Sequence, residues 1–524
     1  MRYLFIGLVM VFLTKTSVAL DCPVIPRPLK TEKGTGVFIL SSTTAIVAGA
    51  GTRETAEYLQ QEILKATGIP VRNMPEARAP AIRLKIQKTR VSETYTLEVG
   101  PREVVIAAAD RRGLHYGVTS FLQLCALGKG TGNSREVEAW KIADKPKLGW
   151  RGFMLDESRH FFGKAKVKEI LDWMSFYKLN RFHWHLTDQH GWRLAIGKYP
   201  RLSVVGGIGN FSDPNAPATY YSQEDIKEII AYAAARFITV IPEIDMPGHA
   251  TAANLAYPEF SGGGSPAYPE FTFNPGKKET YTYLTDILKE VDALFPSQMI
   301  HLGGDEVHFG NQNWAHDTGV KKLMADNGLA DLKAVEQHFI RRMADSTATL
   351  GNQVLAWDEV AEGDLPVDNT IVFWWRHDKP EVLQGALAKG YRTVLCPRLP
   401  LYFDFVQDST HSHGRKWKSK EYNSLKSVYD FSPSNYVGEK HSKQLLGIQA
   451  NLWTETIAAI SRLDYMLFPR ITALAEAAWS SEDNKDFVRF SENLKGHLDL
   501  FKKAGLYFYD PFVAGPAPHY EYTR

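Results

Sequence analysis

Short apolar blocks recur along the first quarter of the chain: GVFIL, TAIVA, AIRLKIQ, TYTLEVG and EVVIAAA. Blocks of this length, rich in Val, Ile and Tyr and bounded by turn residues, predict strands. Two stretches break the pattern with helical spacing, ETAEYLQQEILKATG and RRGLHYGVTSFLQLC. The first stops at Gly68, just ahead of Pro70, which cannot continue a helix. Residues 21–146 therefore read as a small α+β domain, closed by the stretch ADKPKLGW. Acids and histidines do not cluster in it, and no chemistry is assigned to it.

From Trp150 the pattern changes. Eight apolar runs, WRGFMLD, NRFHWHLTD, FITVIPEID, MIHLGGDE, QVLAWDE, TIVFWWRH, TVLCPRLPLYFD and LLGIQANLWTE, each end in polar or aromatic residues. Helical patterns follow most of them, near 164–178, 222–235, 277–294, 329–347, 381–389 and 462–477. Eight βα units within residues 147–505 predict an α/β fold, a (β/α)₈ TIM barrel, with 506–524 as a C-terminal tail. Such barrels gather their active-site groups at the C-terminal ends of the strands, so the residues ending these runs are predicted neighbours in space. SGGGSPAYPE after the third run and residues 407–443 before the eighth read as long loops.

The N-terminus is different in kind. Arg2 precedes the apolar run LFIGLVMVFL, and SVA follows, ending at Ala19. This is the layout of a secretory signal peptide over residues 1–19, too short to span a bilayer in the mature protein. The expectation is an exported chain, periplasmic or secreted, without a membrane-spanning segment. Loss of Arg2 and Lys15 with that peptide leaves 59 basic against 59 acidic residues. Without a basic run, nucleic acid is not an expected partner. Cys22 raises the alternative of a lipoprotein, against which stands Asp21 where a small residue would precede the lipidated cysteine. Cys125 and Cys396 sit in apolar stretches and read as buried thiols, so packing rather than a disulfide frame holds the chain together.

The strand ends carry the candidate chemistry. They supply Arg159 and His160; His183, His185 and Asp188; Glu243, Asp245 and His249; and Asp305 with Glu306. Further on come Trp357, Asp358 and Glu359; Trp374 and Trp375; Tyr402 and Asp404; and Trp453 and Glu455. Aromatic faces pack on the C–H face of a sugar ring, and charged groups bind its hydroxyls. Glycoside cleavage calls for two carboxyl groups at the scissile bond, one of them protonated. An adjacent anion keeps a carboxyl group protonated, and Asp305 beside Glu306 supplies that arrangement. The plainer readings are an ordinary acidic strand end, core tryptophans and a solvated arginine. Adjacent strand residues point opposite ways, so at most one of Trp374 and Trp375 is expected to line the site. His183 and His185 share a face, as zinc ligands on a barrel strand would, but the later strands do not complete a ligand set. Structural histidines are the alternative, and no metal or cofactor is expected. A non-catalytic sugar-binding barrel is a further alternative, with no evident need for the Asp305–Glu306 pair.

Laid out in this order, HLGGDE, DESRHFF, FHWHLTD, PEIDMPGH, AWDE, YFD and LWTE resemble the motifs of the family 20 glycoside hydrolases, the β-N-acetylhexosaminidases. The resemblance covers nearly all of the chain after residue 20. It implies an exo-acting retaining hydrolase of terminal β-linked GlcNAc or GalNAc on a glycan, in which the substrate's 2-acetamido oxygen is the nucleophile and an oxazolinium ion the intermediate. Glu306 would be the general acid and then base, Asp305 would hold the acetamido nitrogen, and Tyr402 would bond the acetamido oxygen. Trp357, Trp374 and Trp453 resemble the aromatic walls, and Arg159, Asp404 and Glu455 the hydroxyl-binding residues. Asp188 and His249 match positions near the acid, with Asp245 as a partner for His249. Where the family commonly reads Asp-Asp-Gln-Gly-Trp, this chain reads Asp188-Gln189-His190-Gly191-Trp192.

Overall fold

A computed structural model describes residues 21–513 except 79, 88, 90, 131 and 412. The expected signal peptide and the end of the expected tail lie outside the described residues. The small domain runs β1 (Lys30–Ser41), β2 (Ala45–Ala48), α1 (Arg53–Thr67), β3 (Arg72–Met74), β4 (Ala81–Ile86), β5 (Tyr95–Val99), β6 (Glu103–Ala108), α2 (Arg111–Leu127) and β7 (Ser134–Asp144). The strands form one mixed sheet in the order β1-β7-β5-β6-β4-β2-β3. Two of them, β3 and β7, are absent from the expectation. The segment forming β7 begins in a charged, exposed stretch, and its pairing with β1 and β5 makes it a strand.

Helix α2 is buried on nearly every side from Gly113 to Cys125. A helix apolar all round must be covered all round, and here the sheet lies on one side and the barrel on the other. Each enclosed Leu or Phe on it contributes about 2 kcal/mol. Asp110 caps its N-terminus by accepting from Gly113 N at 2.8 Å. Cys22 and Cys125 both lie in the core of this domain, and burial pushes the Cys22 thiol up to about 12. A lipid on Cys22 would need that sulfur outside the core it occupies.

The larger domain contains β8 (Trp150–Asp156), α3 (Gly163–Phe176), β9 (Arg181–His185), the short ribbon β10 (Thr187–Asp188) with β11 (Gly191–Trp192), β12 (Thr239–Glu243), β13 (Met299–His301), β14 (Gln353–Trp357), β15 (Thr370–Trp374), β16 (Arg392–Leu395) and β17 (Leu445–Leu452). Apart from the ribbon, these strands close into an eight-stranded parallel barrel, with β17 pairing back onto β8. Each predicted run contains one barrel strand. Helices Gln223–Ala234, Lys278–Leu294, Leu332–Thr349 and Pro380–Lys389 fall on the predicted patterns. The last pattern is two helices, Ile460–Leu467 and Arg470–Trp479, because Pro469 breaks the run. Helix Phe487–Lys503, outside the expectation, packs on α2. Among the described residues no helix is long and apolar enough to cross a membrane.

The seam between the domains is charged and closed. Lys178, fully buried, donates to Tyr95 Oη at 2.9 Å and to Asp144 Oδ2 at 3.3 Å. Asp144 also accepts from Tyr95 Oη at 2.6 Å and from Trp479 Nε1 at 3.1 Å. Arg151 donates to Glu93 Oε2 at 3.1 Å and to Tyr116 Oη at 2.6 Å. The barrel therefore meets the small domain through buried, partnered charges.

Candidate active site

Strand register assembles the floor of the site. Asp156 on β8 is level with His185 on β9, His185 with Glu243 on β12, and Glu243 with His301 on β13. Glu243 is the hub. Its Oε2 lies 2.5 Å from His185 Nδ1 and 3.0 Å from His183 Nε2, and its Oε1 lies 3.0 Å from His301 Nδ1. Trp357 Nε1 donates to that same Oε1 at 2.8 Å. Burial alone would push the Glu243 carboxyl up, but the imidazoles overcome it and hold it well below the usual range. Burial lowers the His185 imidazole, yet Glu243 and Asp188 raise it to about 10. Burial takes the His183 imidazole down to about 4. These are hydrogen-bonding separations, and His183, Glu243 and His301 are also close enough together to hold a metal ion. His183 and His185 act as supports of a buried acid.

Asp188, in the hairpin that pairs it with Gly191, is the second hub. It lies 2.7 Å from Arg159 Nη2, 3.0 Å from His185 Nε2 and 3.0 Å from His249 Nδ1. Burial pushes its carboxyl up, and Arg159 and His249 overcome this and hold it well below the usual range. The partner of His249 is thus Asp188. Asp245 is instead turned to the glycine loop, where its Oδ1 accepts from Gly304 N at 3.3 Å and its own N donates to Thr187 Oγ1 at 3.1 Å. Burial of the His249 imidazole lowers it, and Asp188 and Asp305 raise it to about 9.

The two glycines of HLGGDE let the chain turn under Asp245. Gly303 and Gly304 have φ of 68° and 91°. A Cβ on Gly303 would stand 1.8 Å from Asp245 Oδ1, and one on Gly304 2.8 Å from Val360 Cγ1. Beyond them Glu306 is itself left-handed, at φ 53°. The two carboxyl groups are delivered to different depths: side-chain exposure is 12% for Asp305 and 35% for Glu306. His249 Nε2 lies between them, 3.6 Å from Asp305 Oδ2 and 3.8 Å from Glu306 Oε2. Burial pushes Asp305 up to about 7; His249 opposes this, and Glu359 and Glu306 add to it.

Aromatic rings wall the mouth. Trp453 lies under the Arg159 guanidinium at 5.0 Å and is 5.8 Å from Trp357 and 6.2 Å from Tyr402. The remaining wall is Trp375, stacked with Tyr402 at 6.3 Å and 16°. Trp375 Nε1 donates to Glu359 Oε2 at 3.0 Å. Trp374, the expected wall, points the other way: it packs on Tyr436 in the helical layer and donates to the Lys379 carbonyl. Phe373 already faces the barrel interior, so alternation sends Trp374 out and brings Trp375 in.

Asp404 and Glu455 complete the rim, 1% and 13% exposed at their side chains. Asp404 Oδ1 and Oδ2, Glu455 Oε2 and Asp305 Oδ1 are buried without a hydrogen-bond partner. Burial pushes Asp404 up to about 7, with Arg415 opposing and Glu455 adding. The structure therefore brings together Arg159, Asp188, His249, Asp305, Glu306, Trp357, Tyr402, Asp404, Trp453 and Glu455, and leaves out Trp374. Sequence reasoning missed Trp375 as the wall, Glu359 as its holder and Arg415. Strand parity counted from Trp357 and Phe373 could have found Trp375; Arg415 lies in a long insertion without periodicity.

An acid pair between aromatic walls, at the C-terminal mouth of a parallel barrel, is the equipment of a glycoside hydrolase. Residues 148–482 match the glycosyl hydrolase family 20 catalytic domain, and residues 21–145 match that family's domain 2. The chain is 32% identical over 515 residues to a β-hexosaminidase of Porphyromonas gingivalis, an alignment covering 94% of this chain and 65% of that one. It is 30% identical over 514 residues to a β-N-acetylhexosaminidase of Cellulomonas fimi, covering 95% and 98%. A solved structure of a GH20 exo-β-N-acetylglucosaminidase from Vibrio harveyi, in complex with N-acetylglucosamine, aligns with a TM-score of 0.87 at 30% identity over 94% of this chain and 79% of that one. The chain belongs to glycosyl hydrolase family 20.

Proposed function

We propose that this glycoside hydrolase is an exo-acting, retaining β-N-acetylhexosaminidase that removes terminal β-linked GlcNAc or GalNAc from glycans by substrate-assisted catalysis. The observation that carries the reading is the unequal placement of the acid pair. Asp305 is buried with a free acceptor oxygen, Oδ1, and lies against a raised imidazole at His249. It suits an acetamido N–H, which it would orient while stabilising the positive charge that develops as the acetamido oxygen attacks the anomeric carbon. Glu306 is the more open of the two and meets the leaving oxygen. It protonates that oxygen, then takes a proton from the incoming water. His249, held by Asp188 on its other nitrogen, offers positive charge to the Glu306 carboxylate left after the first transfer. Tyr402 and the walls Trp357, Trp375 and Trp453 enclose the acetamido group, and Arg159, Asp404 and Glu455 take the hydroxyls. No metal or cofactor enters this scheme.

The test is hydrolysis of 4-nitrophenyl N-acetyl-β-glucosaminide and its galacto epimer, with retention at the anomeric carbon and inhibition by a thiazoline mimic of the oxazolinium ion. Indifference to the mimic, with a sugar trapped on Asp305, would replace the scheme by double displacement. Cleavage of neither glycoside, with glycan binding retained, would favour a non-catalytic binder. Export is part of the same proposal: residues 1–19 would direct the chain out of the cytoplasm, and the N-terminal residue of mature protein from its native source decides it.

A further inference from the structure

The least explained group at the mouth is Arg415, carried on the insertion between β16 and β17. We propose that Arg415 is a specificity-determining residue of the sugar site, holding Asp404 and Glu455 as a fixed pair of acceptors for the hydroxyls of the non-reducing-end sugar; this rests on the glycoside hydrolase reading above. Its Nη2 donates to Glu455 Oε1 at 2.6 Å, and its Nε lies 3.5 Å from Asp404 Oδ2. Each carboxylate keeps buried oxygen without a hydrogen-bond partner, Oε2 on Glu455 and both oxygens on Asp404. One arginine thus touches both acids and leaves acceptor positions open. Arg159, also at the mouth, is committed elsewhere, to Asp188 at 2.7 Å and Asp156 at 3.5 Å.

The segment bearing Arg415 is built to present it. Arg415 pairs with Phe405, one residue after Asp404, and its carbonyl accepts from Val406 N at 3.0 Å. Gly414 before it has φ 112°, and a Cβ there would stand 2.7 Å from Arg462 Nη2. Trp417, two residues on, stacks on Phe405 at 4.1 Å and 9°. The backbone is pinned on both sides, while the Arg415 side chain is 41% exposed and reaches the acids from the solvent side. Lysine could supply the charge but not the fork that spans two carboxylates.

The charged and titratable groups acting on Asp404 are Arg415, Glu455 and Arg470, with Tyr402 alongside it and Arg159 acting on Glu455. With Arg415 removed, the repulsion between the two acids is unrelieved, and Asp404 takes up its proton at higher pH. Wild type, R415A and R415K are compared on the GlcNAc and GalNAc aryl glycosides between about pH 5 and pH 8. R415A should raise KM about tenfold with kcat changed much less, and should shift the GlcNAc-to-GalNAc ratio of kcat/KM at least about fivefold, since a few contacts of this kind are worth one decade. Its KM should rise further as pH falls. R415K should restore the pH profile but not the ratio. Unchanged KM, ratio and pH profile in a folded R415A would overturn the assignment. If R415A does not fold, wild-type values for both KM and the ratio in R415K would overturn it equally. If wild type cleaves neither glycoside, the hydrolase reading fails, and Kd for N-acetylglucosamine from tryptophan fluorescence, expected about tenfold weaker in R415A, still judges Arg415.

Discussion

The seam between the domains and the mouth of the barrel both bury charge, and they treat it in opposite ways. At the seam, Lys178, Asp144, Tyr95 and Arg151 find partners in one another and in Trp479, Glu93 and Tyr116. At the mouth, Asp305, Asp404 and Glu455 keep acceptors without partners, and burial pushes Asp305 and Asp404 up to about 7. An unpaired buried acceptor costs stability. That cost persists where a ligand completes the bonding, so the mouth is strained toward binding and the seam is relaxed toward holding.

The largest expected effect separates the two regions by function. Glu306→Gln should lower kcat/KM on the GlcNAc glycoside by about a thousandfold, the scale of a lost general acid, with an unchanged thermal midpoint. A parallel loss of stability would erase the distinction. Next, Lys178→Met leaves Asp144 buried beside fewer donors and should cost about 3–5 kcal/mol in denaturant unfolding, with kcat/KM at room temperature unaltered. A seam variant that remained stable but lost activity would mean that the small domain acts on the mouth.

The adjacent tryptophans sharpen the comparison inside one strand. Trp375→Ala should raise KM about tenfold with a modest stability change, whereas Trp374→Ala should cost about 3–5 kcal/mol of core packing without a selective change in KM. The smallest effect is a pH-dependent gain. Asp404 holds its proton up to about 7 when folded, against about 3.9 in an unfolded chain. The folded state therefore binds more protons between those values, and stability falls as pH rises through that window and stays reduced above it. Asp404→Asn removes the effect: its thermal midpoint should exceed wild type by about 1–3 °C near pH 8 and converge with it near pH 4, while sugar binding weakens.

Much of the fold was legible because its signals are local. The eight apolar runs, each closing on polar residues, mark the barrel strands, and HLGGDE places an acid pair after the fourth of them. What was misread depends on direction and long-range pairing. β7 is a strand because β1 and β5 flank it, and Trp375 rather than Trp374 lines the site because Phe373 already occupies the interior face. His249 turned out to be bonded to Asp188 because strand ends converge in three dimensions in a way no spacing encodes.

By itself, then, the sequence determined the element types and the order of the chemistry-bearing strand ends, since these follow from side-chain periodicity and turn chemistry. Only the tertiary structure decided which acid is deep and which open, which tryptophan faces the barrel mouth and which arginine reaches Asp404 and Glu455. Burial and partner geometry are properties of closure: the barrel must join β17 to β8 before Asp156, Glu243 and Asp305 share one low-dielectric space.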